Sequence, residues 1–256
     1  HQSAEEGGKP LIDSRIELFR AVQGIREAAQ SISKLTGHEI PMNLTSSSMN
    51  RIALTTREPI GLVAAISAFN HPFNLIVHQV IPAVAVGCPV IVKPARTTPL
   101  SCLNLVNCLY EAGLPKEWCQ MVVCESLLAE KLVTDSRVAF FSFIGSGEIG
   151  WMLRSKLSPG TRCALEHGGA APVIIDHDAD LDDALPLLAK GGFYHAGQVC
   201  VSVQKVFVHE SRLDEFQKKL VKLAEKLVVG DPTDETTEVG PLIQKNEVDR
   251  VHQWVN

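Results

Sequence analysis

Two short strings carry side chains suited to covalent chemistry on a carbonyl: Glu166-His167-Gly168-Gly169 and Gly197-Gln198-Val199-Cys200. A cysteine thiolate attacks an aldehyde to form a thiohemiacetal, and a carboxylate within reach activates the water that releases an acid. Glycines lie beside both residues, so backbone amides can approach a developing oxyanion closely. Glu166 follows an apolar stretch and Cys200 follows a predicted helix. The pair therefore depends on two separate elements being brought together.

Three further strings lie where α/β sheets bind ligands, at the carboxyl ends of strands. Lys93, in Val92-Lys93-Pro94-Ala95, closes one predicted strand; Asn70, in Ser67-Ala68-Phe69-Asn70-His71-Pro72, follows the strand before it. A solvated lysine and a turn-forming asparagine are the simpler alternatives. Gly145-Ser146-Gly147-Glu148-Ile149-Gly150 has the spacing GxGxxG between a strand and a helix. Amides at a helix N-terminus there meet a phosphate, although a glycine-rich turn is by itself weak evidence. His71 and His167 are read as structural.

The elements that must hold these residues alternate. A helix is expected over residues 11–35, with Leu11, Ile12, Ile16, Phe19, Ala21, Val22 and Ile25 as its apolar set and Arg15, Glu17, Arg20 and Arg26 solvated. Polar residues 43–50 mark a loop, and residues 51–57 read as a strand of a projecting hairpin. From residue 61 the pattern runs strand (61–67), helix (72–86), strand (89–93), helix (99–112), strand (120–124), helix (127–134), strand (138–144), then helix. Strands at 162–165, 172–176 and 205–209 and helices at 181–194 and 212–228 follow. Such alternation predicts an α/β fold, a parallel sheet with helices on both faces.

Composition limits the function classes. Apolar residues make up 45% and charged ones 21%, with a net charge of −5 and scattered lysines and arginines, so neither nucleic acid nor an anionic membrane is an expected partner. No apolar run approaches the length of a bilayer span. Seven cysteines without a CxxC pair or zinc-like spacing fit a reducing, cytoplasmic compartment. Cys88, Cys102, Cys108, Cys119, Cys124 and Cys163 are expected in or near packed elements.

Taken together, the strings resemble the aldehyde dehydrogenase superfamily over nearly the whole chain. The matching stretches are Ile66-Ser67-Ala68-Phe69-Asn70, Val92-Lys93-Pro94-Ala95, Phe143-Ile144-Gly145-Ser146 and the two strings around Glu166 and Cys200. Gly7-Gly8-Lys9-Pro10, Val229-Gly230-Asp231-Pro232 and Gly240-Pro241-Leu242-Ile243 also match. The resemblance implies a Rossmann-like parallel sheet plus the first part of a second α/β catalytic domain. Residues 1–168 would form the dinucleotide-binding domain, with an oligomerisation hairpin near 48–62, and residues 169–256 an incomplete catalytic domain. Family members continue well beyond this length, so truncation is expected at the C-terminal side and at the N-terminal side.

The same resemblance implies roles. Cys200 would be the nucleophile, Glu166 the general base, and the Asn70 side chain with the Cys200 amide the oxyanion hole. NAD or NADP would lie against Ser67, Phe69, Lys93, Ala95, Arg96, Gly145, Ser146 and Gly168, with Lys93 on the adenosine ribose and Gly145 and Ser146 on the pyrophosphate. An aldehyde would be the substrate, no metal is implied, and a homodimer or homotetramer is expected. Glu166 favours hydrolysis of the thioester over transfer to CoA, because CoA-acylating relatives generally lack this glutamate. A catalytically inert cofactor-binding fragment is the alternative from a different class.

Two departures from the family pattern bear on chemistry. Arg96 stands where many NAD-preferring members carry glutamate, and an arginine there pairs with a 2′-phosphate, so NADP is expected to be tolerated or preferred. His167 replaces the usual leucine and is expected to pack. Phe69-Asn70-His71-Pro72 resembles lactaldehyde-like and phosphonoaldehyde-type members, which favours small polar aldehydes.

Overall fold

Five apolar runs pair side by side as one parallel sheet in the computed structural model, which describes residues 1–256. They are β3 (Leu62–Ile66), β4 (Val90–Lys93), β5 (Cys119–Met121), β6 (Val138–Ile144) and β7 (Arg162–Glu166), in the order β5-β4-β3-β6-β7. Helices α3 (Asn74–Ala85), α4 (Pro99–Glu111), α5 (Ser126–Val133) and α6 (Gly147–Ser155) make the crossovers. Strands buried on both faces read as continuous apolar runs, and β3 shows it. Val63 and Ala65 join one core with α3 and α4, whereas Ala64 and Ile66 join another with α5 and α6. The chain leaves β3 towards β4 and later returns to lay β6 on the other side of β3. That reversal opens a crevice at the carboxyl ends of β3 and β6.

Before the sheet come α1 (Gln2–Gly7), ended by Gly8 at φ 71°, and α2 (Leu11–Ser31). The expected inner face of α2 is corrected by the structure. Leu11 and Ala21 are buried as expected, but Ile12, Ile16 and Phe19 are 48%, 55% and 64% exposed, and Glu17 is buried. The buried positions of α2 are Leu11, Asp13, Ser14, Glu17 and Ala21, mostly small or polar, and Ala21 and Ile25 pack into the core with α3. Glu17 goes inward because two partners wait for it there, described below.

The hairpin also shifts. Its strands are β1 (Glu39–Ile40) and β2 (Ala53–Leu54), antiparallel, so it spans residues 39–54 rather than 48–62, and residues 51–57 contain only two strand positions. A two-stranded ladder with no third strand has little to extend it. No helix of the chain is long and apolar enough to cross a membrane.

After β7 a second, smaller layer begins. β8 (Val173–Ile175) and β9 (Val206–Val208) pair in parallel, and α7 (Leu181–Phe193) and α8 (Leu213–Ala224) cover one face. Asp180 caps α7 by accepting hydrogen bonds from the amides of Asp182 and Asp183. On the uncovered face Ile174 and Phe207 are paired in register and exposed. The chain closes with α9 (Lys245–Val255).

Candidate active site

The turn after β3 carries Asn70 into the crevice. The Asn70 side-chain amide donates to the Gln198 carbonyl at 2.8 Å, which ties this turn to the one bearing Cys200. A carboxamide nitrogen has two donors, so one N–H of Asn70 remains after this bond. Ser67, just before, is buried; its amide donates to the Lys93 carbonyl, and its hydroxyl has no partner. Phe69 lies edge-on to the His195 ring at 6.4 Å.

On the other side of the crevice β6 and β7 end together. Ile144 is opposite Glu166, and the Gly145 amide donates to the Glu166 carbonyl at 3.0 Å. Ser146 caps α6, its hydroxyl accepting from the Ile149 amide. Glu166 is exposed at the strand end and Gly168 is open to solvent. His167 packs, as expected, between Phe143 and Trp151 at 6.1 Å and 5.6 Å. The first turn of α6 accommodates it only because Gly150 lacks a side chain: a Cβ there would stand 2.3 Å from His167 Nε2.

Cys200 follows a strained turn. α7 stops at Phe193, and His195, Ala196 and Gly197 all take left-handed conformations, at φ 48°, 55° and 75°. Left-handed backbone costs a non-glycine residue about 1–2 kcal/mol, so the surrounding structure must hold this turn in place. Gln198 is the main clamp. Its Oε1 accepts from the Ile243 amide and its Nε2 donates to the carbonyls of His195 and Pro241. Cys200 emerges exposed, and its amide donates to no backbone acceptor. The Glu166 string reaches the same turn through Gly169, where an added Cβ would lie 3.4 Å from the Cys200 carbonyl. The thiol and the carboxylate are both exposed and make no hydrogen bond to each other.

The remaining expected residues gather at the end of β4. Lys93 is buried, its ammonium donates to the Pro94 carbonyl at 3.2 Å, and burial pushes its pKa below the ordinary lysine range. Ala95 accepts from the Thr98 amide in the turn that leads to α4. Arg96 is exposed and pairs with Glu125, the residue before α5, at 2.6 Å. Glu125 was not anticipated from the sequence. At the ends of β3 and β4, the orphaned Ser67 hydroxyl and the lightly used Lys93 ammonium have bonding capacity to spare.

Beneath the Asn70 and Cys200 turns lies a buried polar cluster that the sequence did not announce. The Lys9 ammonium donates to Glu17 Oε2 and to His71 Nδ1, both at 2.7 Å. Glu17 Oε1 accepts from the amides of Phe73 and Asn74 at 2.9 Å, closing the start of α3. At the edge of the cluster the half-exposed Lys190 pairs with buried Asp13 at 2.8 Å, and the ammoniums of Lys9 and Lys190 lie 5.5 Å and 5.1 Å from the Tyr194 ring centre. Burial, and then the Lys9 charge, hold both His71 and His195 neutral, with pKa values lowered to about 3. The available signal was two acids, Asp13 and Glu17, set among the apolar and small positions of α2.

The distant strings of the chain converge here too. Gly8 and Gly240 approach so closely that a Cβ on Gly240 would stand 2.0 Å from the Gly8 carbonyl oxygen, and the Leu11 amide donates to the Pro232 carbonyl. Residues 7–10, 229–232 and 240–243 therefore form one contact region, which Gln198 joins to the cysteine turn.

This arrangement has counterparts among known proteins. The model of the Aldehyde dehydrogenase family matches residues 1–256. A 3-sulfolactaldehyde dehydrogenase of Priestia aryabhattai is 40% identical over 253 residues, covering 98% of this chain and 53% of that protein. A lactaldehyde dehydrogenase of Methanococcus vannielii is 37% identical, covering 95% of this chain and 52% of its own length. The crystal structure of glyceraldehyde-3-phosphate dehydrogenase GapN from Methanocaldococcus jannaschii complexed with NADP superposes with a TM-score of 0.93 at 35% identity, over 99% of this chain and 55% of that one. The chain thus spans about half the length of the relatives it matches. With the family model matched over residues 1–256, the chain belongs to the aldehyde dehydrogenase family.

Proposed function

We propose that this chain supplies the dinucleotide-binding domain (residues 1–168) and the nucleophile-bearing start of the catalytic domain (residues 169–256) of an NAD(P)-dependent enzyme that oxidises an aldehyde to a carboxylic acid. Cys200 attacks the carbonyl carbon, and the spare N–H of Asn70 and the free Cys200 amide receive the oxyanion. A nicotinamide held in the crevice would supply the acceptor for the hydride that the thiohemiacetal carbon gives up. Glu166 then takes a proton from the water that cleaves the thioester, releasing acid and the thiol. The observation that carries this reading is the meeting of the Asn70 turn, the Cys200 turn and the Glu166 string through Gln198 and Gly169.

The polar atoms at the crevice suit a dinucleotide. Lys93 and Ser67 have bonding capacity for ribose hydroxyls, and Gly145 and Ser146 stand at the start of α6, where amides favour a phosphate. Phe69, Ala95 and Gly168 are assigned to the same cofactor by the family resemblance, and exposed Arg96 is the group suited to a 2′-phosphate. Kinship with enzymes of lactaldehyde and 3-sulfolactaldehyde supports a small polar aldehyde as substrate. The 39–54 hairpin, its strands exposed except at half-buried Ala53, suits a homodimer or homotetramer.

The test is a Glu166→Gln variant of the full-length enzyme, mixed rapidly with aldehyde and nucleotide. A burst of about one reduced nucleotide per site with little further turnover is expected, because acylation survives and deacylation stalls. Undiminished steady-state turnover, or an absolute requirement for CoA, overturns the hydrolytic reading.

A further inference from the structure

The buried ammonium of Lys9 touches both turns that supply the oxyanion site. On the first, it bonds His71, the residue after Asn70, while its partner Glu17 holds the amides of Phe73 and Asn74. Four of the five residues from Asn70 to Asn74 are thereby fastened: Asn70 by Gln198, and His71, Phe73 and Asn74 by the Lys9–Glu17 pair. On the second, Lys9 lies 5.5 Å from the Tyr194 ring, directly before the left-handed run His195-Ala196-Gly197 that leads to Cys200. His71 and Tyr194 also meet ring to ring at 6.0 Å. The pair is fully enclosed, with side chains 0% and 1% exposed, so water cannot replace either partner.

We propose that Lys9, held by Glu17, is a positioning residue that sets the Asn70 turn against the Cys200 turn and so aligns the two oxyanion donors. This rests on the reading that Asn70 and the Cys200 amide receive the oxyanion. Neither Lys9 nor Glu17 touches substrate. An ammonium suits the task because its donors point tetrahedrally, reaching a carboxylate and an imidazole nitrogen on different elements. A guanidinium keeps the charge but is planar and larger, so it cannot occupy the same point between His71 and Glu17.

The experiment compares the full-length enzyme with Lys9→Arg, Asn70→Ala and the double variant, reading single-turnover hydride transfer and nucleotide Kd. Lys9→Arg is expected to slow hydride transfer about 10- to 100-fold with nucleotide Kd unchanged, since small misalignments of reacting groups have effects of that size. In the Asn70→Ala background the same change is expected to cost about twofold or less, because the alignment that Lys9 sets between the two donors matters only while the Asn70 donor is present. Equal losses in the two backgrounds, or a Lys9→Arg enzyme as fast as the parent, overturn the positioning role and leave the functional reading intact. Should Lys9→Arg not fold, Lys9→Met with Glu17→Gln removes both charges at similar volume and is judged by the same comparison. A parent enzyme that oxidises no aldehyde overturns the functional reading, and this proposal with it.

Discussion

A cysteine serves as a nucleophile only where its thiolate forms and a substrate reaches it. Cys102 and Cys119 meet neither condition, since burial pushes their thiols up to about 12 and about 11. Cys108 is exposed, but it lies within α4 and its amide is committed to the helix. Cys200 combines an exposed thiol with an uncommitted amide. A second residue-level choice concerns Arg96. Its exposed pair with Glu125 is screened by solvent and worth little, so a phosphate dianion can compete for the guanidinium. Charge-assisted hydrogen bonds of this kind contribute about 1.5–3 kcal/mol, so Arg96→Ala is expected to lower kcat/KM for NADP about 10- to 100-fold and to leave NAD little changed. Strong NAD preference in the parent, unaltered by Arg96→Ala, would show that Arg96 has no part in cofactor choice.

At the scale of elements, what matters is how each strand hands over to its helix. β3 passes to α3 through a turn whose free amides are taken by Glu17 from a different helix, where a local cap is absent. β6 passes to α6 through its own Ser146 cap, and α6 gives up a side chain at Gly150 so that the His167 ring can lie against it. Gly150→Ala tests that packing. Alanine ordinarily favours a helix interior over glycine by about 0.5–1 kcal/mol. Here the new methyl would meet His167 Nε2 at 2.3 Å and the Phe143 ring at 2.9 and 3.0 Å. The expected net result is destabilisation of about 1–3 kcal/mol, as for other overpacked sites. Urea denaturation that finds Gly150→Ala as stable as the parent would mean that the imidazole swings aside freely.

Across the whole molecule, the cluster under the two turns joins the N-terminal segment, the sheet and the second layer, and it contains two histidines that stay neutral. His71 and His195 titrate near 6.5 in an unfolded chain and at about 3 when folded. The unfolded state therefore binds more protons between these values. Their contribution to stability is complete above pH 6.5 and is lost as the pH falls towards 3, at up to about 1.4 kcal/mol per pH unit for each histidine. His195→Asn removes one of them and retains a residue that tolerates left-handed backbone. The denaturation midpoint is expected to fall from pH 6.5 to pH 5 in the parent and to fall less steeply in His195→Asn. Parallel slopes would show that His195 does not drive the acid sensitivity.

Much of the molecule was legible in the order of its residues. Apolar runs of strand length, separated by helix-length segments with glycine and proline at their ends, determined the parallel sheet. The short strings around Asn70, Lys93, Gly145, Glu166 and Cys200 marked the turns at its rim. These features are local, since strand burial and turn chemistry leave their mark within a few residues. Only the tertiary structure decided which polar residues go inside. Glu17 belonged to a solvated face by its type, and it is buried because Lys9 and the open amides of α3 lie across from it. Ile12, Ile16 and Phe19 looked like core, yet α2 turns Leu11, Asp13, Ser14, Glu17 and Ala21 inward instead. The hairpin limits, the Arg96–Glu125 pair and the clamp made by Gln198 likewise depend on residues far apart in the chain. A burial decision of that kind is a property of two partners, and neither sequence neighbourhood alone contains the other.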